Sequence, residues 1–189
     1  MNNEKLNILK LLIETQDRTW SIRQIALERR INYKSAYNAI QKLHQEKIIN
    51  VTTHGNISLC AFNQKYNSSV LTVEYHRLQQ LLHNKNFKVI YNRLKAINQQ
   101  YILLLFGSYA KKKNNKYSDI DLLAITDNNA ELQTQVKLLP LPIHLTTISY
   151  NDFQTMLKSK EFSVVSEAIK HNIILFGVED YYRLLNNAR

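Results

Sequence analysis

The chain is poor in residues that break or crosslink structure: of its 189 residues three are glycine, two are proline and one is cysteine. A lone cysteine, Cys60, cannot form an internal disulfide, which suits a reducing compartment, and its apolar neighbours predict a packed, unreactive thiol. No apolar run is long enough to span a bilayer, and the start of the chain lacks a signal-peptide pattern. We therefore expect a cytoplasmic protein without a membrane partner.

Positive charge is in excess, and its distribution is uneven. The net charge is +10, and the hydrophobic content of 44% suffices for a core in one domain or two small ones. Residues 1–64 carry nine Lys and Arg against five acids, residues 65–100 six against one, and residues 101–189 ten against nine. The basic first half favours a nucleic-acid partner, although basic charge can also serve solubility alone.

The first sixty residues read as three helices and a hairpin. Apolar residues at helical spacing predict helices over Glu4–Thr15, over Ile22–Arg30 with Thr19 or Ser21 as cap, and from an Asn32 cap to about Glu46. The expected buried residues are Ile25 and Leu27 in the second helix and Ala36, Ala39, Ile40 and Leu43 in the third. Residues 48–53 and 57–62 predict a hairpin that turns at Gly55.

This order of elements resembles the winged helix-turn-helix domains of bacterial and archaeal regulators, over residues 4–62. The resemblance implies that the third helix enters the major groove of duplex DNA. Its outward residues are then the contact candidates: Tyr33, Lys34, Ser35, Asn38 and Lys42, with His54 and Asn56 at the hairpin tip. Winged helices also serve as dimerisation or protein-docking modules, so a homodimer or a protein partner stays open.

Residues 65–100 predict two more helices without proline or glycine. The first carries Leu78, Leu81 and Leu82, and the second packs on a sheet through Phe87, Ile90, Leu94 and Ile97. Their basic residues either follow a nucleic-acid backbone or form a solvated helix face; they are Arg77, Lys85, Lys88, Arg93 and Lys95. We expect a first domain over 1–64, a helical connector over 65–85 and a second domain over 86–189.

Residues 101–125 hold the most informative pattern in the chain. An apolar strand over Ile102–Phe106 ends at Gly107-Ser108, and a polar loop leads to a second strand that carries Asp119 and Asp121. Side chains alternate along a strand, so the two carboxylates share one side while Ile120 and Leu122 point into the core. Like charges so close call for a divalent cation, and Mg²⁺ with a nucleotide phosphate fits best.

Gly107 has no Cβ, so backbone can approach a phosphate closely, and the Ser108 hydroxyl can donate to a phosphate oxygen. Gly107-Ser108, ten residues, then Asp119-Ile120-Asp121 resembles the signature of the DNA polymerase β-like nucleotidyltransferases, above all their minimal members, over roughly residues 86–189. The resemblance implies that Gly107 and Ser108 hold the triphosphate and that Asp119 and Asp121 are catalytic and bind Mg²⁺. The Walker phosphate-loop pattern is absent.

The sequence departs from this family at the next strand, predicted over Leu139–Ser149 with prolines at its entry. Active members usually place a third acid there, whereas this strand carries His144, Thr146 and Thr147. His144 either acts as a base or is simply packed or exposed. Asp152 lies just beyond the strand. The loop lysines Lys111, Lys112, Lys113 and Lys116 either contact a triphosphate or acidic substrate or belong to a solvated loop.

The rest of the second domain alternates helices with one strand. Helices are predicted over Ala130–Leu138, Tyr150–Lys158, Glu161–His171 and Asp180–Asn187, and a strand over Ile173–Phe176. The expected core residues are Phe153, Met156, Leu157, Val164, Val165, Ala168 and Ile169. The fold class is therefore α/β (α+β): a winged helix, then a nucleotidyltransferase fold with helices on one side of a small mixed sheet.

Two functional hypotheses follow. The first is a nucleotidyltransferase that moves a nucleoside monophosphate from an NTP, with ATP expected, to a hydroxyl of a protein such as a partner toxin, a nucleic acid or a small molecule. The second is a DNA-binding transcriptional regulator whose nucleotidyltransferase domain is weak or inactive and serves as a nucleotide sensor or assembly module. The missing third acid and the basic first half motivate the second hypothesis.

Overall fold

The computed structural model describes residues 4–158 and 163–187. The chain forms two compact units, one running to Val73 and the other starting at Glu74. Within the described residues no helix combines the length and the apolarity that a bilayer crossing demands. The predicted domain limits at residues 64 and 85 stay predictions.

The first unit contains the three predicted helices and the hairpin. Its elements are α1 Glu4–Glu14, β1 Trp20–Ser21, α2 Ile22–Arg29, α3 Tyr33–Gln45, β2 Ile49–His54 and β3 Ile57–Phe62. The three strands form an antiparallel sheet in the order β1-β3-β2. β1 was not predicted, because two residues are too short to show an alternating pattern; it exists through its pairing with Leu59 and Cys60.

Local hydrogen bonds explain where these helices begin. Ser21 and Gln24 form a capping box at the start of α2, so Ser21 rather than Thr19 is the cap. The Asn32 side chain accepts a hydrogen bond of 2.8 Å from the Ser35 backbone N–H and caps α3 as predicted. Gly55, at φ +57°, occupies the two-residue turn of the hairpin, as predicted.

Helix faces in the first unit follow the expected pattern with one exception. Ala36, Ala39, Ile40 and Leu43 of α3 are buried as predicted. Leu27 is 71% exposed, so its predicted burial is wrong. α2 buries Ile22, Ile25 and Ala26, which share one face, and Leu27 lies about 140° round the helix from Ile22.

Cys60 is fully buried in β3. Burial raises the pKa of its thiol to about 11, because the charged thiolate loses its solvation. Its burial confirms the predicted packing of Cys60, and the raised pKa favours the protonated thiol at neutral pH.

The second unit begins inside α4 and is built on a four-stranded sheet. Its elements are α4 Ser68–Leu81, α5 Lys85–Lys95, β4 Ile102–Leu105, α6 Gly107–Ala110, β5 Ile120–Ile125, α7 Ala130–Lys137, β6 Ile143–Ile148, α8 Tyr150–Lys158, α9 Val164–Lys170, β7 Ile173–Phe176 and α10 Val178–Asn187. The strand order is β6-β5-β4-β7, with β5 and β6 parallel and the other pairs antiparallel. The sheet is mixed, as predicted. The first residues of the predicted helix over Glu161–His171 lie outside the described residues.

Helices lie on both faces of this sheet, so the predicted one-sided arrangement is wrong. One face packs on α5 and α7 through a cluster that includes Phe87, Ile90, Leu94 and Leu132. On the other face Leu104 and Leu123 are also fully buried, and α8 and α9 approach Leu123 across a cleft. Both faces are covered because β4 and the end of β5 are apolar at every position.

Two predicted core residues of this second face are exposed instead. Phe153, Val165 and Ala168 are buried as predicted, whereas Met156 and Val164 are not. Both side chains line the cleft between the sheet and α8 and α9. These two apolar side chains therefore line a concave surface and are not part of the packed interior.

A buried polar network joins α4 to the C-terminal elements within the second unit. Arg77 donates to Glu74 Oε2 at 2.6 Å and to the backbone carbonyl of Asn172, and the Tyr182 hydroxyl donates to Glu74 Oε1 at 2.6 Å. Asn172 donates to the Tyr181 hydroxyl at 3.0 Å. Arg77 is 5% exposed, so both alternatives given for it, a contact with a nucleic-acid backbone and a solvated helix face, are wrong. Its charge pairs with a buried carboxylate instead.

Candidate functional site

The bend after β4 packs directly against the carboxylate of Asp121. The backbone N–H of Phe106 donates to the carbonyl of Asp121 at 3.0 Å, which brings the two strands together at this point. Gly107 follows in the left-handed region at φ +68°, and a Cβ built on it would lie 2.2 Å from Asp121 Oδ2. Only glycine fits here without displacing the carboxylate. The chain continues as the single turn α6, where a plain polar loop was predicted.

The two aspartates differ in their surroundings. Asp121 lies on β5 between the buried residues Ile120 and Leu122, as predicted, and its side chain is 27% exposed. Asp119 is exposed and precedes β5 by one residue, whereas both acids were predicted on the strand. That the two carboxylates share one face stays a prediction.

His144 faces Asp121 across the parallel strand pair. The register of β5 and β6 sets Asp121 beside His144, and Nδ1 of the imidazole lies 3.6 Å from Oδ1 of the carboxylate. The His144 side chain is 69% exposed, so it borders solvent on its far side. Of the alternatives left open for His144, the packed one is therefore excluded, and the structure shows an exposed imidazole beside an acid.

Two lysines of the loop after α6 contact side chains of the protein itself. Lys111 forms an ion pair of 2.5 Å with Glu167 of α9. Lys116 lies over the ring of Tyr117 at 4.8 Å from its centroid. Lys112 has a left-handed backbone at φ +55°, and Lys112, Lys113 and Lys116 are exposed. Positive charge thus borders the bend, which suits an anionic ligand.

A cleft of about 580 Å³ continues along the same face of the sheet. Leu123 and Thr146 line it, and they form the next same-face pair after Asp121 and His144 along β5 and β6. The lining combines apolar side chains with hydroxyl groups and one carboxylate, that of Asp152, and the described part of it contains no lysine or arginine. Asp152 accepts a hydrogen bond of 2.7 Å from Ser149.

The donor set at the bend suits Mg²⁺. Within residues 4–158 and 163–187 no three His, Cys, Asp or Glu residues form a metal-holding group. Magnesium in nucleotide enzymes is usually held by one or two carboxylates together with substrate phosphates, rather than by a cage of protein ligands. Asp121 supplies such a carboxylate directly beside the bend at Gly107.

In the first unit α3 presents an exposed basic and aromatic face. Tyr33, Lys34, Asn38 and Lys42 are exposed, and Ser35 is half-buried. Tyr37, which the sequence reasoning missed, is also exposed and stacks on Tyr33 with ring centroids 6.4 Å apart. Residues four apart are neighbours on the surface of a helix, so the position of Tyr37 relative to Tyr33 could have indicated this contact in the sequence. No acidic residue occurs between Tyr33 and Gln45.

One known family is similar to part of the second unit. Residues 88–180 match the family model described as polymerase beta, nucleotidyltransferase. The match spans Gly107, Ser108, Asp119 and Asp121, and it supports a nucleotidyltransferase domain of the DNA polymerase β type in this part of the chain. No curated protein and no solved structure matched the chain. The first 87 residues lie outside the family match.

The cleft could not be read from the sequence. Its lining comes from β5, β6, α8 and the start of α9, which are far apart in the chain. Exposed Met156 and Val164 are part of that lining, and their helical spacing is indistinguishable from core spacing in a sequence.

Proposed function

We propose that the chain is a metal-dependent nucleotidyltransferase that transfers a nucleoside monophosphate from a nucleoside triphosphate to a hydroxyl group. The observation that carries the proposal is the close packing of Asp121 on Gly107. A conformationally restricted glycine bend beside a half-buried carboxylate is a specific arrangement, and the family match covers the same residues.

The proposed roles follow from position. Gly107 and Ser108 hold the triphosphate, Gly107 by close backbone approach and Ser108 by its hydroxyl. Asp119 and Asp121 hold Mg²⁺, which neutralises negative charge on the phosphates when bound. The acceptor oxygen attacks the α-phosphorus, the bond between that phosphorus and the bridging oxygen to the β-phosphorus breaks, and pyrophosphate leaves.

We assign the cleft beside Leu123 and Thr146 to one of the two substrates. It adjoins Asp121 on the same sheet face, so a group bound there lies next to the metal-binding carboxylate. The described lining combines apolar and hydroxyl side chains with the single carboxylate of Asp152 and no lysine or arginine, which disfavours an anionic group. A nucleoside or an uncharged acceptor fits this description, and an acidic acceptor does not.

Isothermal titration with Mg²⁺ and ATP tests the nucleotide site. The wild-type chain should bind the nucleotide only with the metal present. The double substitution Asp119→Asn and Asp121→Asn should weaken binding by about a hundredfold, equivalent to about 2.7 kcal/mol, because it removes both anionic metal ligands.

The matched control removes the same charge from the same unit. Glu131→Gln with Glu179→Gln changes two exposed acids on α7 and α10. This variant should bind like the wild type. Equal binding by the Asp119/Asp121 variant and the wild type would defeat the proposal.

We further propose that the first unit is a winged helix-turn-helix domain that binds duplex DNA through α3. The supporting observation is the face of Tyr33, Tyr37, Lys34, Asn38 and Lys42 on a helix without acids. The β2–β3 hairpin supplies the wing, with His54 and Asn56 at its tip. In this proposal ATP is the nucleotide and the cytoplasm is the location, since the single cysteine is buried and reduced.

One observation supports the regulator hypothesis as a second candidate function. The strand neighbour of Asp121 on β6 is His144 rather than a carboxylate. A chain that binds Mg²⁺ and ATP and duplex DNA, yet labels no acceptor, would be a nucleotide-sensing regulator. Labelling of proteins alone would favour a protein acceptor such as a toxin partner.

A further inference from the structure

Asp121 and His144 lie close together on neighbouring strands, but their side chains are farther apart than a hydrogen bond allows. The two residues are register partners on β5 and β6, so the sheet fixes their backbones side by side. Nδ1 and Oδ1 are 3.6 Å apart, which is longer than the 2.7–3.2 Å of an N–H···O hydrogen bond. The His144 side chain is 69% exposed, so its imidazole is accessible to solvent.

The separation fits two ligands of one metal ion. With bonds of about 2.1 Å, two ligand atoms lie roughly 3.0 Å apart at an octahedral angle and roughly 3.4 Å apart at a tetrahedral one. The observed 3.6 Å exceeds these values by a few tenths of an ångström. A small side-chain rotation of an exposed imidazole closes that difference.

We propose that His144 is a ligand of the divalent ion that Asp121 holds, an inference that rests on the proposed function. Imidazole nitrogen suits the later first-row metals, whereas Mg²⁺ prefers oxygen ligands throughout. The site therefore favours ions such as Co²⁺ over Mg²⁺ more strongly than a site with carboxylates alone. His144 thereby sets which metal supports the reaction.

The direct test is pulsed electron paramagnetic resonance of Mn²⁺ bound to the full chain with inorganic triphosphate as the anion. Triphosphate contains no nitrogen, and labelling the protein with ¹⁵N-histidine identifies the source of any nitrogen coupling. The wild type should show ¹⁵N coupling to Mn²⁺. His144→Ala and His144→Asp should lose it, and His83→Ala, which changes an exposed histidine outside β5 and β6, should keep it.

Titration with Mg²⁺ and Co²⁺ in the presence of triphosphate gives a second measurement. The ratio of Co²⁺ to Mg²⁺ affinity should fall on the order of tenfold in His144→Asp. This value is at the low end of the change in metal affinity that follows when a residue supporting a metal site is replaced. This variant keeps a ligand at the position, so a structural defect alone would not change the ratio in that direction.

The possible results distinguish the proposed role of His144 from the proposed nucleotidyltransferase function on which it rests. Bound Mn²⁺ without ¹⁵N coupling, or an unchanged metal ratio in His144→Asp, would overturn the role of His144 and leave the nucleotide site intact. That result would describe His144 as a charge partner of Asp121 only. Failure of the wild type to bind Mn²⁺ with triphosphate would contradict both proposals.

Discussion

At the scale of single residues, Gly107 is the position where a minimal change has the most specific consequence. Gly107→Ala places a Cβ 2.2 Å from Asp121 Oδ2 and strains a backbone at φ +68°. We expect roughly 1–2 kcal/mol less free energy of unfolding from the left-handed backbone. We also expect Mg²⁺–ATP binding to weaken at least about tenfold, since the carboxylate must move. Urea denaturation and calorimetry measure the two effects.

Gly177→Ala provides the control for this prediction. Gly177 also has positive φ, at +77°, and its added Cβ would meet Ile102 Cγ1 at 2.8 Å and the Tyr101 carbonyl at 3.0 Å. The variant should lose comparable stability while the folded protein keeps nucleotide affinity. If both alanine variants bind nucleotide like the wild type, Gly107 has no role in the site.

The sequence identified the glycine and the aspartates, because residue type and spacing carry that information locally. The packing of Asp121 on Gly107 could be expected only through the family resemblance. His144 could be named as a candidate but not placed, since its position depends on the register between β5 and β6. Register between parallel strands arises from tertiary packing and leaves little trace in one sequence.

At the scale of elements, the exposed lysines of α3 lead to a prediction about the binding of duplex DNA. Lys34→Ala and Lys42→Ala should each weaken binding to duplex DNA and reduce the salt slope of the logarithm of affinity by about one, if each lysine neutralises a phosphate. Lys65→Ala, an exposed lysine of the first unit outside α3, is the matched control and should change little. Fluorescence anisotropy across salt concentrations gives the slopes.

Salt slopes that are equal in all three variants and the wild type would remove α3 from the interface. A first unit that binds no duplex DNA at low salt would instead favour the dimerisation or protein-docking role. Either result would leave the nucleotide site untouched.

The buried polar network between α4 and α10 leads to a prediction about the stability of the second unit. Arg77→Met leaves the Glu74 carboxylate buried without its cation, so the free energy of unfolding should fall by about 3–5 kcal/mol. Tyr182→Phe removes one hydrogen bond to a charged group and should cost about 1.5–3 kcal/mol. Urea denaturation monitored by circular dichroism measures both.

The exposed pair Arg183–Glu179 on α10 is the control, since both partners face solvent. Arg183→Met should change stability by less than about 1 kcal/mol, the upper range for a surface ion pair. If Arg77→Met costs no more than Arg183→Met, the buried network contributes little to the second unit.

Long elements with strong periodicity were predicted well, and the errors have physical causes. α1, α3, α5, α8 and β7 occur where apolar spacing placed them. β1 was missed because its two residues become a strand only through pairing with β3. The second helix layer was missed although the continuous apolar run of β4 was a signal for it, because strands covered on both faces are apolar at every position.

At the scale of the whole molecule, positive charge is distributed unevenly along the chain, although each of the two units carries a net charge of +5. Residues 1–64 and 65–100 carry most of the excess positive charge, while residues 101–189 are close to neutral. This distribution agrees with the polyanion partner proposed for the first part and with the small, metal-bound substrate proposed for the second. The regulator hypothesis uses the same two sites and differs only in the absence of transfer.

Transfer itself is therefore the decisive observation. The full chain is incubated with Mg²⁺, a cell lysate as source of acceptors, and ATP labelled with ³²P at either the α- or the γ-phosphorus. Our account predicts a labelled acceptor from α-labelled ATP only, with release of pyrophosphate, and loss of the label in Asp121→Asn. Label that arrives from the γ-phosphorus, or no acceptor labelled from the α-phosphorus, would contradict it.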